Sequence, residues 1–394
     1  MNVIFISPHF PTHFYQFCSR LKERGVNVLG IGDAYYEQIS DNCKNSLTEY
    51  QHVNSLENYD EVYRVVAYYI HKYGRIDFVE SQNEYWLELD AHIRTDFNIT
   101  SGPQLSEMPA MNHKSKMKEA YARAGIPTAR WKLVQTLEEA IDFAHYVGYP
   151  VIVKPDQGVG ASSTYKIKDD EGMANFWYTK PDVQFIEEEL VPGHVETFDG
   201  ITNVNKEVLF AASQVLPKSL MDAVNLDDDV ISYTQDPPAD LRDAGMRVLN
   251  EFNTKNKFFH FEFFRLDEDK EGLGHKGDIV GLEVNMRAPG GYITDKMNYA
   301  FNADVYTIWA DSLIYNKNFM NSEFAYYITH LGRKNSLHYI HSNEEIRERY
   351  HDLILSEREV DAALADEMGN HAFLIKASTF EQMNEQINFI LGKE

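Results

Sequence analysis

The chain has little cysteine, few basic residues and no long apolar run. It contains two cysteines among 394 residues, which excludes a disulfide framework and a cysteine-rich metal site. Lysine and arginine total 37 against 61 aspartates and glutamates, so the formal net charge is −24. A surface of that charge repels nucleic acid and anionic membrane as a whole. An anionic ligand would have to be met locally, by lysine, arginine, backbone amides or a metal ion.

The N-terminal sequence also lacks the basic and long apolar regions of a signal peptide, and no run approaches the length of a membrane span. We therefore expect a cytoplasmic protein that binds neither membrane nor nucleic acid. Hydrophobic residues make up 43% and aromatic residues 13% of the chain, which is typical of a globular protein with a sizeable core. The length allows two or three domains.

Strand-like and helical stretches alternate in the N-terminal part of the chain. Apolar runs at Val3–Ile6, Val26–Ile31 and Ile76–Val79 are separated by segments with helical spacing, such as Asn58–Tyr73. This alternation predicts a parallel sheet with helices packed on it, whose ligands lie beyond the carboxyl ends of the strands. No G-x-G-x-x-G follows the first strand, which counts against a nicotinamide-binding domain.

The middle of the chain places lysines beside a glycine-rich loop. A helix start that reads NHKSKMK contains Lys114, and an apolar strand, PVIVKP, ends with Lys154. A lysine at the end of such a strand is unfavourable unless it is paired or bound to a ligand. The sequence that follows, DQGVGASST, is typical of loops that wrap phosphates with backbone N–H groups, although a hairpin turn is the usual alternative.

A metal site is indicated by the stretch VGLEVNMRAPGGY. Glu283 and Asn285 are two residues apart on a predicted strand, so their side chains share one face. Hard oxygen donors in that arrangement suit Mg²⁺, and Arg287 offers a planar fork for phosphate or carboxylate. The alternative is a buried strand whose polar residues cap its end.

A second strand, FFHFEFFRL, carries Glu262 among phenylalanines, where a lone carboxylate needs a partner or a metal. The polar, glycine-containing segment from Asp267 to Asp278 predicts a hairpin connection to the Glu283 strand. Such a hairpin would bring Glu262 to Glu283 and Asn285. The acidic stretch from Pro217 to Pro238 is predicted to be irregular.

The order of these motifs resembles that of the ATP-grasp ligases, over roughly Asn112 to Ala310. Five motifs carry the resemblance: NHKSKMK, PVIVKP with its glycine loop, FIEEELVPGHVE, FHFEF and LEVNMRAPGG. It implies mixed α/β and α+β architecture with the nucleotide between two lobes. The expected divisions are an N-terminal parallel α/β (pre-ATP-grasp) domain over 1–105, an ATP-grasp domain over 106–312 with its lobe boundary near 186, and a C-terminal α+β segment over 313–394 that packs on the ATP-grasp core.

The resemblance also implies roles for individual residues. Lys114 and Lys154 would contact ATP phosphates, together with the loop residues Gly158, Gly160, Ser162 and Ser163. Glu187 would meet the adenine amino group, Glu189 and Leu190 would lie on the hinge backbone, and Glu196 would meet the ribose or nearby solvent. Glu262, Glu283 and Asn285 would hold Mg²⁺, with Mn²⁺ as an alternative ion. Arg287 would meet the γ-phosphate and an acyl phosphate, so Arg287 and Lys154 are the expected catalytic residues.

The implied activity is ligation of a small-molecule acid to an amine through an acyl phosphate, with release of ADP and phosphate. Biotin carboxylases of the same superfamily continue the metal strand with further Glu and His, whereas APGGY stands here. This difference favours carboxylate–amine ligation over a carboxylase. The alternatives are a kinase-like enzyme of the same fold and a non-catalytic ATP-binding regulatory protein. A homodimer is compatible with either class.

Overall fold

A computed structural model describes residues 1–158, 164–218, 227–360 and 365–393. The N-terminal part forms a four-stranded parallel sheet in the order β3-β2-β1-β4, which confirms the parallel sheet predicted from the alternating pattern. Its strands are β1 (Asn2–Ile6), β2 (Asn27–Gly32), β3 (Glu49–His52) and β4 (Phe78–Glu80). The helices are α1 (Tyr15–Glu23), α2 (Asp41–Ser46), α3 (Tyr59–Tyr73) and α4 (Leu87–Asp96).

A second, antiparallel sheet of four strands follows in the order β5-β8-β6-β7. Two helices precede it, α5 (Pro109–Asn112) and α6 (Lys114–Arg123). The strands are β5 (Trp131–Val134), β6 (Val151–Pro155), β7 (Tyr165–Ile167) and β8 (Phe185–Glu189). Their connecting helices are α7 (Leu137–Val147), which Thr136 caps at its N-terminus, and α8 (Asp170–Thr179).

The largest sheet has eight antiparallel strands in the order β13-β12-β9-β10-β11-β14-β16-β15. The strands are β9 (Gly193–Thr202), β10 (Val208–Leu216), β11 (Val230–Gln235), β12 (Phe258–Leu266), β13 (Ile279–Asn285), β14 (Tyr327–Arg333), β15 (Ile354–Glu359) and β16 (His371–Ala377). The associated helices are α9 (Ala239–Asn250), α10 (Ile293–Ala300), α11 (Val305–Tyr315), α12 (Asn343–Tyr350), α13 (Ala365–Met368) and α14 (Phe380–Leu391).

Two local expectations were wrong or incomplete. The stretch from Pro217 to Pro238 contains β11, so it is not irregular throughout, and residues 219–226 within it lie outside the described residues. Strand β3 has no apolar run because its four residues are all half-buried, and it was missed for that reason. The domain limits at 105 and 312 remain a prediction, although β14 to β16 extend the same sheet as β9 to β13.

The alternation of phenylalanine along β12 explains how the large sheet divides its two faces. Phe259, Phe261 and Phe263 are buried in one core cluster. His260 and Glu262 therefore point to the opposite face, because successive side chains alternate across a strand. The N-terminal sheet is joined to that opposite side through α1, where the Phe17 ring lies 4.7 Å from Tyr306 and 5.2 Å from Trp309 of α11. Among the described residues, no helix is long and apolar enough to cross a membrane.

Candidate active site

The predicted hairpin of β12 and β13 is confirmed, and it brings two carboxylates together. Glu262 is the direct cross-strand partner of Glu283, and His260 is the partner of Asn285. The Tyr121 hydroxyl of α6 donates to the backbone carbonyls of Glu262 at 3.0 Å and Glu283 at 2.9 Å. Tyr121 therefore stabilises the hairpin at the position of the carboxylate pair.

A buried histidine fixes one carboxylate of this pair. His260 Nε2 lies 3.1 Å from Glu262 Oε1, and its Nδ1 lies 2.6 Å from Asp199 Oδ1. Burial would lower the pKa of His260, but the two carboxylates outweigh burial and raise it to about 10. The ring is therefore an imidazolium at neutral pH and donates from both nitrogens. The same pairing helps to lower the pKa of Glu262 against the effect of burial.

Glu283 has the weaker set of partners. Burial raises its pKa, the charge of Lys114 opposes this, and the neighbouring Glu262 raises it further. The side chains of Glu262 and Glu283 are 26% and 24% exposed, so both reach solvent on the open side. Two adjacent carboxylates in this state would be stabilised by a divalent cation.

The residues fit Mg²⁺ better than a metal held entirely by the protein. Within the described ranges, no group of three or more His, Cys, Asp and Glu side chains is placed to hold a metal ion. Glu262, Glu283 and Asn285 offer two carboxylates and one amide. Mg²⁺ characteristically takes one or two carboxylates and completes its shell with water and substrate phosphates.

Three lysines line the approach to the carboxylate pair. Lys114 Nζ lies 3.5 Å from Glu283 Oε1 and donates to the carbonyl of Gly158 at 3.1 Å. Lys154 at the end of β6 pairs with Glu188 at 3.2 Å, and the buried Lys118 pairs with the same carboxylate oxygen at 3.1 Å. Two lysines therefore share one carboxylate, which leaves a positive charge in excess at this wall.

Asp156 sets the position of the helix that carries Lys114. Its carboxylate accepts from the Ser115 backbone N–H at 2.8 Å and contacts His113 Nδ1 at 2.9 Å. The Lys114 N–H donates to the Asp156 carbonyl at 2.8 Å. The N-terminus of α6 is thus tied to the chain directly after Lys154, and these two lysines face one region.

Strand β8 contains three glutamates in different states. Glu187 is fully buried and neither carboxylate oxygen has a hydrogen-bond partner among the described residues. Burial raises its pKa to about 8. Glu189 instead accepts from the Arg130 backbone N–H at 2.7 Å and from its guanidinium at 2.6 and 2.9 Å. Only Glu187 is therefore open to a new hydrogen-bond donor, while Glu188 pairs with the lysines.

The remaining predicted contacts are placed less directly. Glu196 is buried and engaged by Arg265 at 2.9 and 2.8 Å, so its carboxylate is not free for a ribose. Leu190, which follows β8, is half-buried. Gly158 has a φ of +146°, which favours glycine. The predicted contacts Gly160, Ser162 and Ser163 lie outside the described residues.

The direction of the Arg287 side chain is not set by strand alternation, as the sequence had suggested. Strand β13 ends at Asn285, so strand alternation does not set the direction of Arg287. Its guanidinium pairs with Glu84, which lies 203 residues away beyond the end of β4, and donates to the Ala288 carbonyl at 2.9 Å. The Nε atom has no partner in the described part of the chain. Gln82 accepts from the Ala288 N–H at 3.0 Å, so the N-terminal sheet supports the turn that contains Arg287.

A cavity of about 240 Å³ opens between these elements. Glu283, Glu84 and Glu88 contribute its acidic side, and Met108, Met111 and Met117 contribute its apolar side. Sequence reasoning missed Glu84, Lys118, Glu188, Asp199 and His260 as parts of this region. Glu84 did stand at a predicted strand end, which was the one available signal.

Known proteins match this chain in sequence and in fold. A family model described as the carbamoyl-phosphate synthase L chain, ATP binding domain, matches residues 113–182. The L-arginine-specific L-amino acid ligase of Bacillus subtilis is 26% identical over 253 residues, which are 61% of this chain and 58% of that protein. The match therefore spans about three fifths of the relative's length.

Solved structures match over nearly the whole chain. The L-amino acid ligase from Bacillus licheniformis has a TM-score of 0.72 at 13% identity, and the match covers 98% of this chain and 96% of that one. N5-carboxyaminoimidazole synthetase from Staphylococcus aureus, solved with ADP, has a TM-score of 0.68 at 12% identity, with 98% and 95% covered. The chain has the ATP-grasp fold, and the mixed architecture predicted from the sequence is confirmed.

Proposed function

We propose that the chain is an ATP- and Mg²⁺-dependent ligase that joins a small-molecule carboxylate to an amine through an acyl phosphate. ADP and phosphate are released. The relatives named as amino acid ligases and the ADP complex of a synthetase with the same fold support this class. We retain the proposed division into residues 1–105, 106–312 and 313–394.

The observation that carries the proposal is the pairing of Glu262 with Glu283 across β12 and β13. These carboxylates and the Asn285 amide are the residues that would hold Mg²⁺. When bound, Mg²⁺ neutralises phosphate charge and holds the phosphates for in-line transfer. His260 keeps Glu262 ionised and oriented, so the ligand is ready before the ion arrives.

The lysine wall supplies the other part of phosphate binding. Lys114 and Lys154 would neutralise phosphate oxygens, and Lys118 would keep Glu188 from cancelling the charge of Lys154. Phosphoryl transfer needs mainly positioning and charge stabilisation, so a site without a nucleophilic side chain is sufficient. The substrate carboxylate attacks the γ-phosphorus, ADP leaves, and the amine then displaces phosphate from the acyl carbon.

Arg287 is the proposed stabiliser of the transferred phosphoryl group and of the acyl phosphate. It is paired with Glu84 at the edge of the cavity, and its Nε is unsatisfied among the described residues. A bidentate anion would complete its hydrogen bonds. The negative charge of Glu84 keeps the guanidinium fixed at this position until such an anion binds.

The adenine end is assigned to β8 and the residue that follows it. Glu187, whose oxygens lack partners in the described structure, is the proposed acceptor for the adenine amino group. The backbone at Glu189 and Leu190 would contact the adenine ring. Glu196 would lie near the ribose, although its carboxylate is engaged by Arg265. The glycine loop from Gly158 would cover the phosphates.

The test is release of ADP and phosphate from ATP with Mg²⁺ across a panel of amino acids, supplied alone and in pairs, with mass spectrometry of the products. Phosphate release that requires both an acid and an amine, with one amide formed per ADP, is expected. An acid that accumulates as a stable phosphate ester or anhydride in the presence of every amine would instead indicate a kinase. No stimulation of phosphate release by any pair would contradict catalysis.

A further inference from the structure

The sheet face that carries Glu262 stays polar well beyond the carboxylate pair. Directly opposed residues on neighbouring antiparallel strands share a face, so the cross-strand partners can be followed from strand to strand. This face carries Asp199 and Thr197 on β9, Gln214 on β10, Thr234 and Ser232 on β11, and His330 on β14. Apart from Asp199, which holds His260, none of these polar residues has a part in the proposed metal or nucleotide contacts.

Lys296 of α10 lies over this face and is poorly paired. It is 1% exposed, and its ammonium donates to Ser232 Oγ at 2.8 Å. No carboxylate of the described residues lies within ion-pair distance of it. The nearby Asp199 is already used, because its Oδ1 pairs with His260 and its Oδ2 accepts from the Thr197 hydroxyl at 2.6 Å. A buried ammonium without a carboxylate partner is unfavourable unless an anion completes it.

A second donor on the same face is also unsatisfied. Gln214 is fully buried, its Oε1 accepts from Thr234 at 2.8 Å, and its Nε2 has no partner among the described residues. Thr234 and Ser232, the hydroxyl residues that Gln214 and Lys296 contact, are two residues apart on β11, which is about 7 Å along the strand. A carboxylate with a hydrogen bond of about 2.9 Å at each oxygen spans a gap of that size.

The charges around Lys296, Ser232 and Gln214 fit a monoanion. His330 Nε2 donates to the Met368 carbonyl at 3.1 Å, and burial lowers the pKa of His330 to about 4, so the ring is neutral. Burial lowers the pKa of Lys296 to about 7, so a bound anion would stabilise its protonated form. Solvent reaches this part of the face, because Ser232 and Tyr292 are half-buried and Arg358 is exposed, with its guanidinium 4.1 Å from the centre of the Tyr292 ring.

Ser232 and Lys296 lie too far from the carboxylate pair to contact the reacting group. The strand order runs β12-β9-β10-β11, which makes three interstrand steps of about 4.8 Å each, or about 14 Å across the sheet. One carboxylate cannot touch both ends. We propose that Lys296, Ser232 and Gln214 form a subsite for a second substrate carboxylate, one that stays unmodified while another carboxylate or an amine of the same molecule reacts. This inference rests on the proposed ligase function for the identity of the reacting end.

The experiment measures binding, so that it does not depend on turnover. The whole protein, loaded with Mg²⁺ and a non-hydrolysable ATP analogue, is titrated calorimetrically with adipate, suberate, sebacate and dodecanedioate and with hexanoate, octanoate, decanoate and dodecanoate. The wild-type protein should bind one dicarboxylate about tenfold or more tighter than its matching monocarboxylate, the effect expected of a hydrogen-bonded charge. Lys296→Met should abolish this preference and leave affinity for the nucleotide analogue unchanged.

Two further variants separate the subsite from general effects of charge or stability. Gln214→Leu should reduce the preference with Lys296 intact, whereas Lys317→Met, which removes an exposed positive charge elsewhere, should leave it unchanged. An equal preference in wild type and Lys296→Met, or none at any length in wild type, would overturn the proposal. A preference lost in Lys296→Met in a protein that releases no phosphate with any acid and amine would refute the ligase and keep the subsite.

Discussion

The two ends of one sheet face carry incompletely neutralised charges of opposite sign. At one end Glu262 and Glu283 stand opposite each other with more negative charge than their neighbours neutralise. At the other end Lys296 is buried with a serine hydroxyl and no carboxylate partner among the described residues. Uncompensated charge in a partly buried setting is unfavourable, so each end indicates a ligand of opposite sign. Under the two proposals above, a substrate would lie with its reacting end towards the carboxylates and an anionic end at the lysine.

The largest effect is expected at the acidic end. Glu283→Gln should lower turnover by orders of magnitude while the fold is kept, because it removes a proposed Mg²⁺ ligand and keeps the side-chain size. The rate is measured against Mg²⁺ concentration, with Glu268→Gln at the exposed far end of the same hairpin as the control. Near-normal rates for Glu283→Gln at limiting Mg²⁺ would remove the metal role.

Arg287 tests whether a guanidinium near the carboxylate end acts on the transferred phosphoryl group. Arg287→Ala should lower kcat by about 10²–10³, the usual effect of losing a preorganised donor where charge develops, and should weaken ATP binding much less. Arg287→Lys should lie in between, because it keeps the charge and loses the fork. An unchanged kcat in Arg287→Ala, whatever its melting temperature, would leave only the ion pair with Glu84.

A smaller effect, on stability, is expected at the basic end. Burial lowers the pKa of Lys296 from 10.5 to about 7, so folding is penalised fully below pH 7 and the penalty fades as pH rises towards 10.5. Lys296→Met should therefore raise the melting temperature by a few degrees at pH 7 and by less at pH 10. A gain that is the same at both pH values, or a loss at pH 7, would show that the lysine is satisfied in the free protein.

The smallest effect is expected at Glu187, the acid counterpart of Lys296. Burial raises its pKa from 4.5 to about 8, so the folded state is penalised progressively as pH rises between these values. Glu187→Gln should melt with wild type near pH 5 and a little above it near pH 8. Melting curves over this pH range test the shift of the Glu187 pKa. Glu189→Gln loses the ion pair with Arg130 and should lower the melting temperature instead.

The pairing of Glu262 with Glu283 could be predicted from the sequence because the relevant signals are local. The alternation in FFHFEFFRL, the polar connection and the E-x-N spacing together predict the hairpin, and the structure places Glu262 opposite Glu283. The parallel N-terminal sheet follows in the same way from short apolar runs separated by helices. Local periodicity and hairpin chemistry need no knowledge of tertiary contacts.

The partners of these residues could not be read in the same way. The Lys118–Glu188 pair, the Asp199–His260 pair and the Arg287–Glu84 pair each join elements that are adjacent only after the sheets assemble. The basic end was missed for a related reason, since Ser232 lies on a strand with polar flanks that was predicted to be irregular. A single sequence does not state which strands become neighbours, and fold alone does not specify a substrate.

Activation of a substrate carboxylate as an acyl phosphate is tested most directly by an isotope measurement. An acid that supports phosphate release is supplied with its carboxylate oxygens replaced by the heavy isotope, together with ATP, Mg²⁺ and the amine. Mass spectrometry then follows the released phosphate. One heavy oxygen is expected in each phosphate, because the amine attacks the acyl carbon and displaces phosphate together with the bridging oxygen that came from the acid. Amide formation with phosphate that contains no heavy oxygen would contradict it.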